Sequence, residues 1–170
     1  PAGRGSLAGT GVGVGRRRRR LAPAPCVIGN SARCWIEGPR SNLASLVEAG
    51  DEAWLDVLLL FASTATSLGY GGRGDFRMDP EGRLIRRPER EVAPFIYAGV
   101  AILRPDLFAD TPDGAFSLNL LFDRAIAKGR LHGVRLDGQW LHVGTPQGLK
   151  DAEERVRLGG WTDQLAGLQE

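Results

Sequence analysis

The chain has little of the chemistry that most often marks a site. Among its 170 residues it holds only two cysteines, Cys26 and Cys34, and two histidines. Seven residues separate the cysteines and no second pair follows. Neither a zinc site nor the disulfide framework of a small secreted fold fits that spacing, and a reduced, cytoplasmic protein is the expectation. Long apolar runs are also missing. The longest, LDVLLLFA from Leu55 to Ala62, is far below the ~20 residues that span a bilayer, so no membrane partner is expected. The stretch LAPAPCVIG is short and broken by Pro23 and Pro25, which makes a poor signal peptide. Acid is nearly absent from the front of the chain. Residues 1 to 40 carry eight arginines against one acid, Glu37, while the remainder carries 14 basic and 19 acidic residues. The basic excess is one local run on a mildly acidic body.

What is present is ordinary for a globular domain: 42% hydrophobic and 25% charged residues,. Residues 1 to 25 are Gly, Ala, Pro and Arg with hardly a large apolar side chain, too little to offset ordering entropy. They are expected to form a disordered leader, with the domain over 26 to 160 and a tail over 161 to 170. The first residue is Pro rather than Met, which leaves a fragment open. Within the domain, CWIEG reads as a short strand. Ser41 to Gly50 reads as a helix with Leu43, Leu46 and Val47 on one face, capped by Ser41 and Gly50. WLDVLLLFA reads as a strand buried on both faces, because it does not alternate. Two short strands flank the turn residues Asp79 to Gly82, and VAPFIYAGVAIL is a further apolar strand. RPDLFA is a short helical turn. FSLNLLFDRAIAKG has the helical period, with Ser117 as its expected cap and Gly129 at its end. LHGVRLDG and QWLHVG are two more strands, and Thr145 caps a final helix with Pro146 at its first position. The alternation predicts an α/β fold.

Few local patterns suggest a site. GTGVGVGRRRRR has phosphate-loop glycines, but no strand precedes it and no amphipathic helix follows. Its arginines could meet nucleic-acid phosphates, yet no aromatic residues are interleaved for stacking. A solvated basic tail accounts for it better than either, and out-of-frame translation of GC-rich DNA is a third reading. In WLHVGTPQGLK a strand end meets a helix N-terminus, where backbone N–H groups and Gly144 would admit a phosphate. A plain turn gives the same pattern. Gly99, inside an otherwise bulky strand, marks a bulge or a close approach. Asp75 is a loop carboxylate at a strand start.

Four segments, GYGGRGDFRMDPEGRLIRR, VAPFIYAGVAIL, GAFSLNLLFDRAIAKGRLHGV and QWLHVGTPQGLKDAE, occur in the order and spacing of the sugar-1-phosphate nucleotidyltransferases. Over about residues 35 to 156 the chain resembles the bacterial branch of mannose-1-phosphate guanylyltransferase-like and N-acetylmuramate 1-phosphate uridylyltransferase enzymes. The resemblance implies an incomplete doubly wound, Rossmann-like domain with a mixed sheet, corresponding to the C-terminal portion of the family's domain. It implies a transfer that joins a nucleoside triphosphate to a sugar 1-phosphate with loss of pyrophosphate, assisted by Mg²⁺, in nucleotide-sugar supply to the cell envelope. It places Asp75, Tyr97 and Gly99 on the sugar side and Gly144 and Thr145 at the sugar phosphate, with His142 at a metal position that is an aspartate in many relatives. The departures are specific. The family's glycine-rich pyrophosphate loop and Lys-Pro motif have no counterpart. Where the first metal carboxylate belongs, Asn30, Ser31 and Trp35 echo the pattern but Ala32 and Arg33 replace the acid. A frameshift upstream of Trp35 would explain both this altered segment and the arginine-rich leader. The alternatives to an enzyme are a non-catalytic sugar-phosphate-binding descendant and a nucleic-acid-associated protein using the arginine run, the last not expected.

Overall fold

The computed structural model describes residues 25–30, 33–50, 55–112 and 116–158. The leader up to residue 24 and the tail from 161 lie outside them. Cys26–Gly29 forms β1, Arg33–Glu37 β2, Asn42–Ala49 α1, Val57–Ser63 β3, Phe76–Met78 β4, Leu84–Arg86 β5 and Phe95–Leu103 β6. A 3₁₀ turn over Pro105–Phe108 follows, then α2 (Asn119–Ala127), β7 (Leu131–Arg135), β8 (Gly138–His142) and α3 (Pro146–Leu158).

The main sheet runs β5-β4-β6-β3-β7, with β1 on the same edge of β6 as β4. Only β3 and β7 run parallel in this mixed sheet; the remaining pairs are antiparallel. β2 and β8 form a separate antiparallel ladder in which Trp35 faces Trp140. β3 occupies the centre because its sequence has no polar face. Val57, Leu59 and Phe61 enter one core with Leu121, Phe122 and Ala125 of α2, whereas Leu58, Leu60 and Ala62 enter a second with Leu46 of α1 and Trp140. Helices on opposite faces of the sheet are what a strand with two apolar faces requires.

Three local expectations need correction. β1 is a strand that its four residues, two of them Cys and Gly, did not signal. Helix α2 begins at Asn119, one residue later than a Ser117 cap implies; the Ser117 hydroxyl accepts from the Asn119 N–H at 3.2 Å but Leu118 occupies the cap position. Leu118 is buried in the core, and its packing decides where the helix starts. Of the three apolar residues expected on one face of α1, only Leu46 is buried. Leu43 and Val47 remain 46% and 58% exposed. The other caps hold. Ser41 accepts from the Ala44 N–H at 3.3 Å, and Thr145 from the Gly148 N–H at 3.0 Å.

Candidate functional site

The glycine inside β6 does mark a bulge. Leu59 pairs with Ala101 and Phe61 with Tyr97, so three residues of β6, Ala98 to Val100, stand opposite Leu60 alone. Gly99 takes φ 102° there, a region that disfavours every residue with a Cβ. Breaking the ladder frees carbonyls, and buried carbonyls need donors. Ala98 O accepts the indole N–H of the fully buried Trp140 at 3.0 Å, and Gly99 O accepts the Asn30 N–H at 2.8 Å. The bulge thereby ties β6 to both β8 and the end of β1.

Asp75 sits just before β4, and its carboxylate accepts the backbone N–H of Tyr97 at 3.0 Å. It therefore acts on the start of the bulge as a support. Its own position is fixed by Arg87, whose backbone N–H donates to Asp75 O. The Arg87 guanidinium donates to Gly74 O and to the carbonyls of Pro88, Glu89 and Glu91, each at 2.9 Å. The Tyr97 ring meets Phe122 edge-on at 5.4 Å.

At the other corner, β8 ends in His142. Its ring stacks on Trp140 with centroids 5.9 Å apart and meets Tyr70 edge-on at 6.5 Å. Gly144 lies over the same ring; a Cβ there would come 3.0 Å from His142 Cε1. Helix α3 presses on the end of β8 so closely that a Cβ on Gly148 would stand 2.1 Å from His142 O. Gly144 and Thr145 are exposed, as a phosphate corner needs, whereas Gly99 is buried. The helix N-terminus has fewer donors to offer than its sequence suggests, since Pro146 has no N–H and Thr145 Oγ1 occupies that of Gly148.

One residue unites the two corners, and it was not singled out from the sequence. The Tyr70 ring packs against Trp140 at 6.0 Å and against His142, while its hydroxyl accepts the Gly74 N–H at 3.0 Å, beside Asp75. Trp140 is the second such residue. Their only signal was position, an aromatic inside GYGG and another inside QWLH. A cleft of about 400 Å³ opens beside Trp140 at the C-terminal ends of the parallel pair β3 and β7, with Ser63, Thr66, Arg135 and Asp137 on its walls. Strand C-terminal ends are where open α/β sheets bind ligands.

Among the described residues there is no group of three His, Cys, Asp or Glu side chains that could hold a metal ion. Mg²⁺ prefers hard oxygen donors, so an imidazole packed between aromatic rings does not fit it. Burial raises the thiols of both Cys26 and Cys34 above their ordinary value, the opposite of what an activated nucleophile shows.

Over 147 residues, 86% of its length, the chain is 38% identical to the N-acetylmuramate alpha-1-phosphate uridylyltransferase of Caulobacter vibrioides. The match is to a partial region of that sugar-1-phosphate nucleotidyltransferase. The chain spans 61% of that relative's length. Its fold matches UDP-glucose pyrophosphorylase, solved in complex with UDP-glucose, with a TM-score of 0.72 at 15% identity, covering 91% of this chain and 64% of the other. HddC from Yersinia pseudotuberculosis, solved with GMP-PN, matches with a TM-score of 0.65 at 17% identity over 88% and 63% of the two chains. No protein-family model matches the sequence. Among the described residues no helix is long and apolar enough to cross a membrane.

Proposed function

We infer that this chain carries the sugar-phosphate side of a nucleotidyltransferase, which joins a nucleoside triphosphate to a sugar 1-phosphate and releases pyrophosphate. The observation that carries this reading is the Tyr70 junction. It links the Asp75–Tyr97 arm and, through Trp140, the buried Gly99 bulge to the His142–Thr145 corner. Those are the segments whose order in the sequence resembles the family. In the reaction an oxygen of the sugar phosphate attacks the α-phosphorus in line, and the protein's work is positioning and charge neutralisation. This chain's residues would hold the sugar phosphate at the exposed Gly144–Thr145 turn. Arg135, exposed on the wall of the cleft beside Trp140, supplies a cation to that cleft. Mg²⁺ supplies charge neutralisation in the family reaction, but the described residues form no site for it. Free cysteines accord with a reducing cytoplasm, where nucleoside triphosphates are made.

The alternative is a sugar-phosphate-binding descendant without turnover, favoured by the missing pyrophosphate loop and by Ala32 and Arg33 in the carboxylate's place. Both readings expect the chain to bind a sugar 1-phosphate and, by itself, to release no pyrophosphate. Titration calorimetry with N-acetylmuramate, mannose and glucose 1-phosphates tests the first point. No binding of any of them, or binding unchanged by Gly144→Val, sinks the site. Release of pyrophosphate by the chain alone with Mg²⁺ and a nucleoside triphosphate sinks the expectation of inactivity.

A further inference from the structure

The cleft beside Trp140 is a built pocket that the sugar-phosphate corner does not use. The two lie at opposite ends of β8, since Gly138 borders the cleft and His142 begins the corner. Four steps along a strand separate them by about 13 Å. Two turns wall the cleft, and each is tied down. In the turn after β3, the Ser67 hydroxyl donates to Ser63 O at 2.6 Å and the Thr64 N–H donates to Pro94 O at 2.9 Å. In the β7–β8 turn, the Leu136 N–H donates to Phe61 O at 2.8 Å, and both backbone groups of Asp137 meet the Asn42 side chain. The walls are therefore set before any ligand arrives. A volume of about 400 Å³ falls in the range of small-molecule sites.

The lining names the ligand chemistry. The guanidinium of Arg135, exposed at the end of β7, pairs with no acid or carbonyl among the described residues. Thr66 Oγ1 is equally uncommitted among them, and Ser63 Oγ accepts the Ala65 N–H at 3.3 Å, which leaves its own proton to donate. A guanidinium and two hydroxyls are donors for an anion. The three terminal oxygens of a phosphate ester match three donor groups, whereas a carboxylate has two. Asp137 is of the opposite character. One of its carboxylate oxygens accepts the Arg40 N–H at 3.1 Å, and Oδ1 takes no donor from the described residues. An occupant that is anionic throughout is repelled there, while a hydroxyl donates to it. Trp140 gives its indole N–H to Ala98 O and so contributes ring surface alone. We propose that the cleft binds a small hydroxylated phosphate monoester, with its phosphate on Arg135, Ser63 and Thr66 and a hydroxyl on Asp137. This site is additional to the Gly144–Thr145 turn and does not depend on the transfer reaction. Trp140 lines the cleft, bonds the β6 bulge and stacks on His142, so an occupant touches a side chain that also supports the corner.

The test is a titration of the full chain, followed through its amide and indole N–H resonances, with ribose 5-phosphate as the ester and inorganic phosphate as the bare anion. Ribose 5-phosphate should shift the Thr66, Arg135 and Gly138 amides and the Trp140 indole saturably, with a midpoint at or below about 1 mM. It should bind more tightly than inorganic phosphate. Arg135→Gln should weaken the ester at least about tenfold, and Thr66→Val about threefold. Asp137→Asn keeps the backbone clasp and should narrow the preference for ester over phosphate, because the repulsion of the bare anion disappears with the charge. Arg135 and Thr66 are exposed, and unaltered thermal unfolding of each variant confirms that the chain itself is intact. No saturable shift up to about 10 mM, or shifts confined to the Gly144 and Thr145 amides, overturns the proposal. So does inorganic phosphate that binds as tightly as the ester, or an Arg135→Gln variant that binds like the parent. The two inferences fail separately. A sugar 1-phosphate bound at the Gly144 turn beside an unresponsive cleft contradicts only the second site, and a responsive cleft in a chain that binds no sugar 1-phosphate contradicts only the proposed function.

Discussion

At the scale of single residues, Asn42 shows how one polar side chain holds distant segments together. It is 1% exposed, and every polar atom it has is used. Its amide donates to Glu37 and, at 2.7 Å, to Asp137 O, while its carbonyl oxygen accepts the Asp137 N–H at 2.6 Å. Asn42→Ala would leave the Asp137 N–H without a partner and take one of two donors from both the Glu37 carboxylate and Asp137 O. A loss of about 2–3 kcal/mol is expected from urea unfolding, and a loss under about 0.5 kcal/mol would show that water replaces the clasp. His132 offers a pH test. Burial lowers its pKa below the ordinary value, with the nearby charges of Asp79, Arg83 and Arg130 adding smaller effects of mixed sign. The unfolded chain takes up the proton near pH 6.5 and the folded chain only at lower pH. Stability is therefore intact above about 6.5 and declines as pH falls towards the depressed value. His132→Gln should flatten the urea midpoint between about pH 7 and 5; an unchanged slope would place the titration elsewhere.

At the scale of elements, two joints position the site. Trp140 supplies the donor that the β6 bulge needs. Trp140→Phe removes the indole N–H, orphans Ala98 O and leaves a small cavity, and should cost at least about 2 kcal/mol. Because the bulge carries Gly99, the same change should broaden or shift the Asn30 and Gly99 amide resonances, and unmoved resonances would separate the bulge from Trp140. The second joint is the start of α3 on β8. Alanine normally stabilises a helix over glycine by about 1 kcal/mol. Gly148→Ala should do the reverse here, because its Cβ would stand 2.1 Å from the backbone oxygen of His142 and α3 would have to move away. Thermal unfolding decides the sign; a higher midpoint would mean that the helix start has slack. Buried Asp56, held by Arg130 at 2.7 Å and Lys128 at 3.6 Å, anchors the opposite end of β3 and was not visible as a pair in the sequence.

Across the whole molecule, β3 is the spine, paired on both sides and covered on both faces. Its amides should exchange most slowly with solvent, with the short β4–β5 hairpin opening first. Slower exchange in the hairpin than in β3 would contradict this layering. Most of the elements were legible because their signals are local: apolar content, helical period, a capping hydroxyl and a glycine out of place need only a few neighbouring residues. β1 escaped notice because four residues carry too little pattern, and the burial of α1 was overestimated because periodicity shows which face is apolar but says nothing of whether anything covers it. The family segments, the Gly99 bulge and the Thr145–Pro146 cap were thus set by the sequence itself. Tertiary structure alone decided that Tyr70 joins the two halves of the site, that Asp75 supports the Tyr97 backbone, and that Asn42 clasps a turn 95 positions away. Such contacts depend on how strands and helices close on one another in space, and no window along the chain contains both partners.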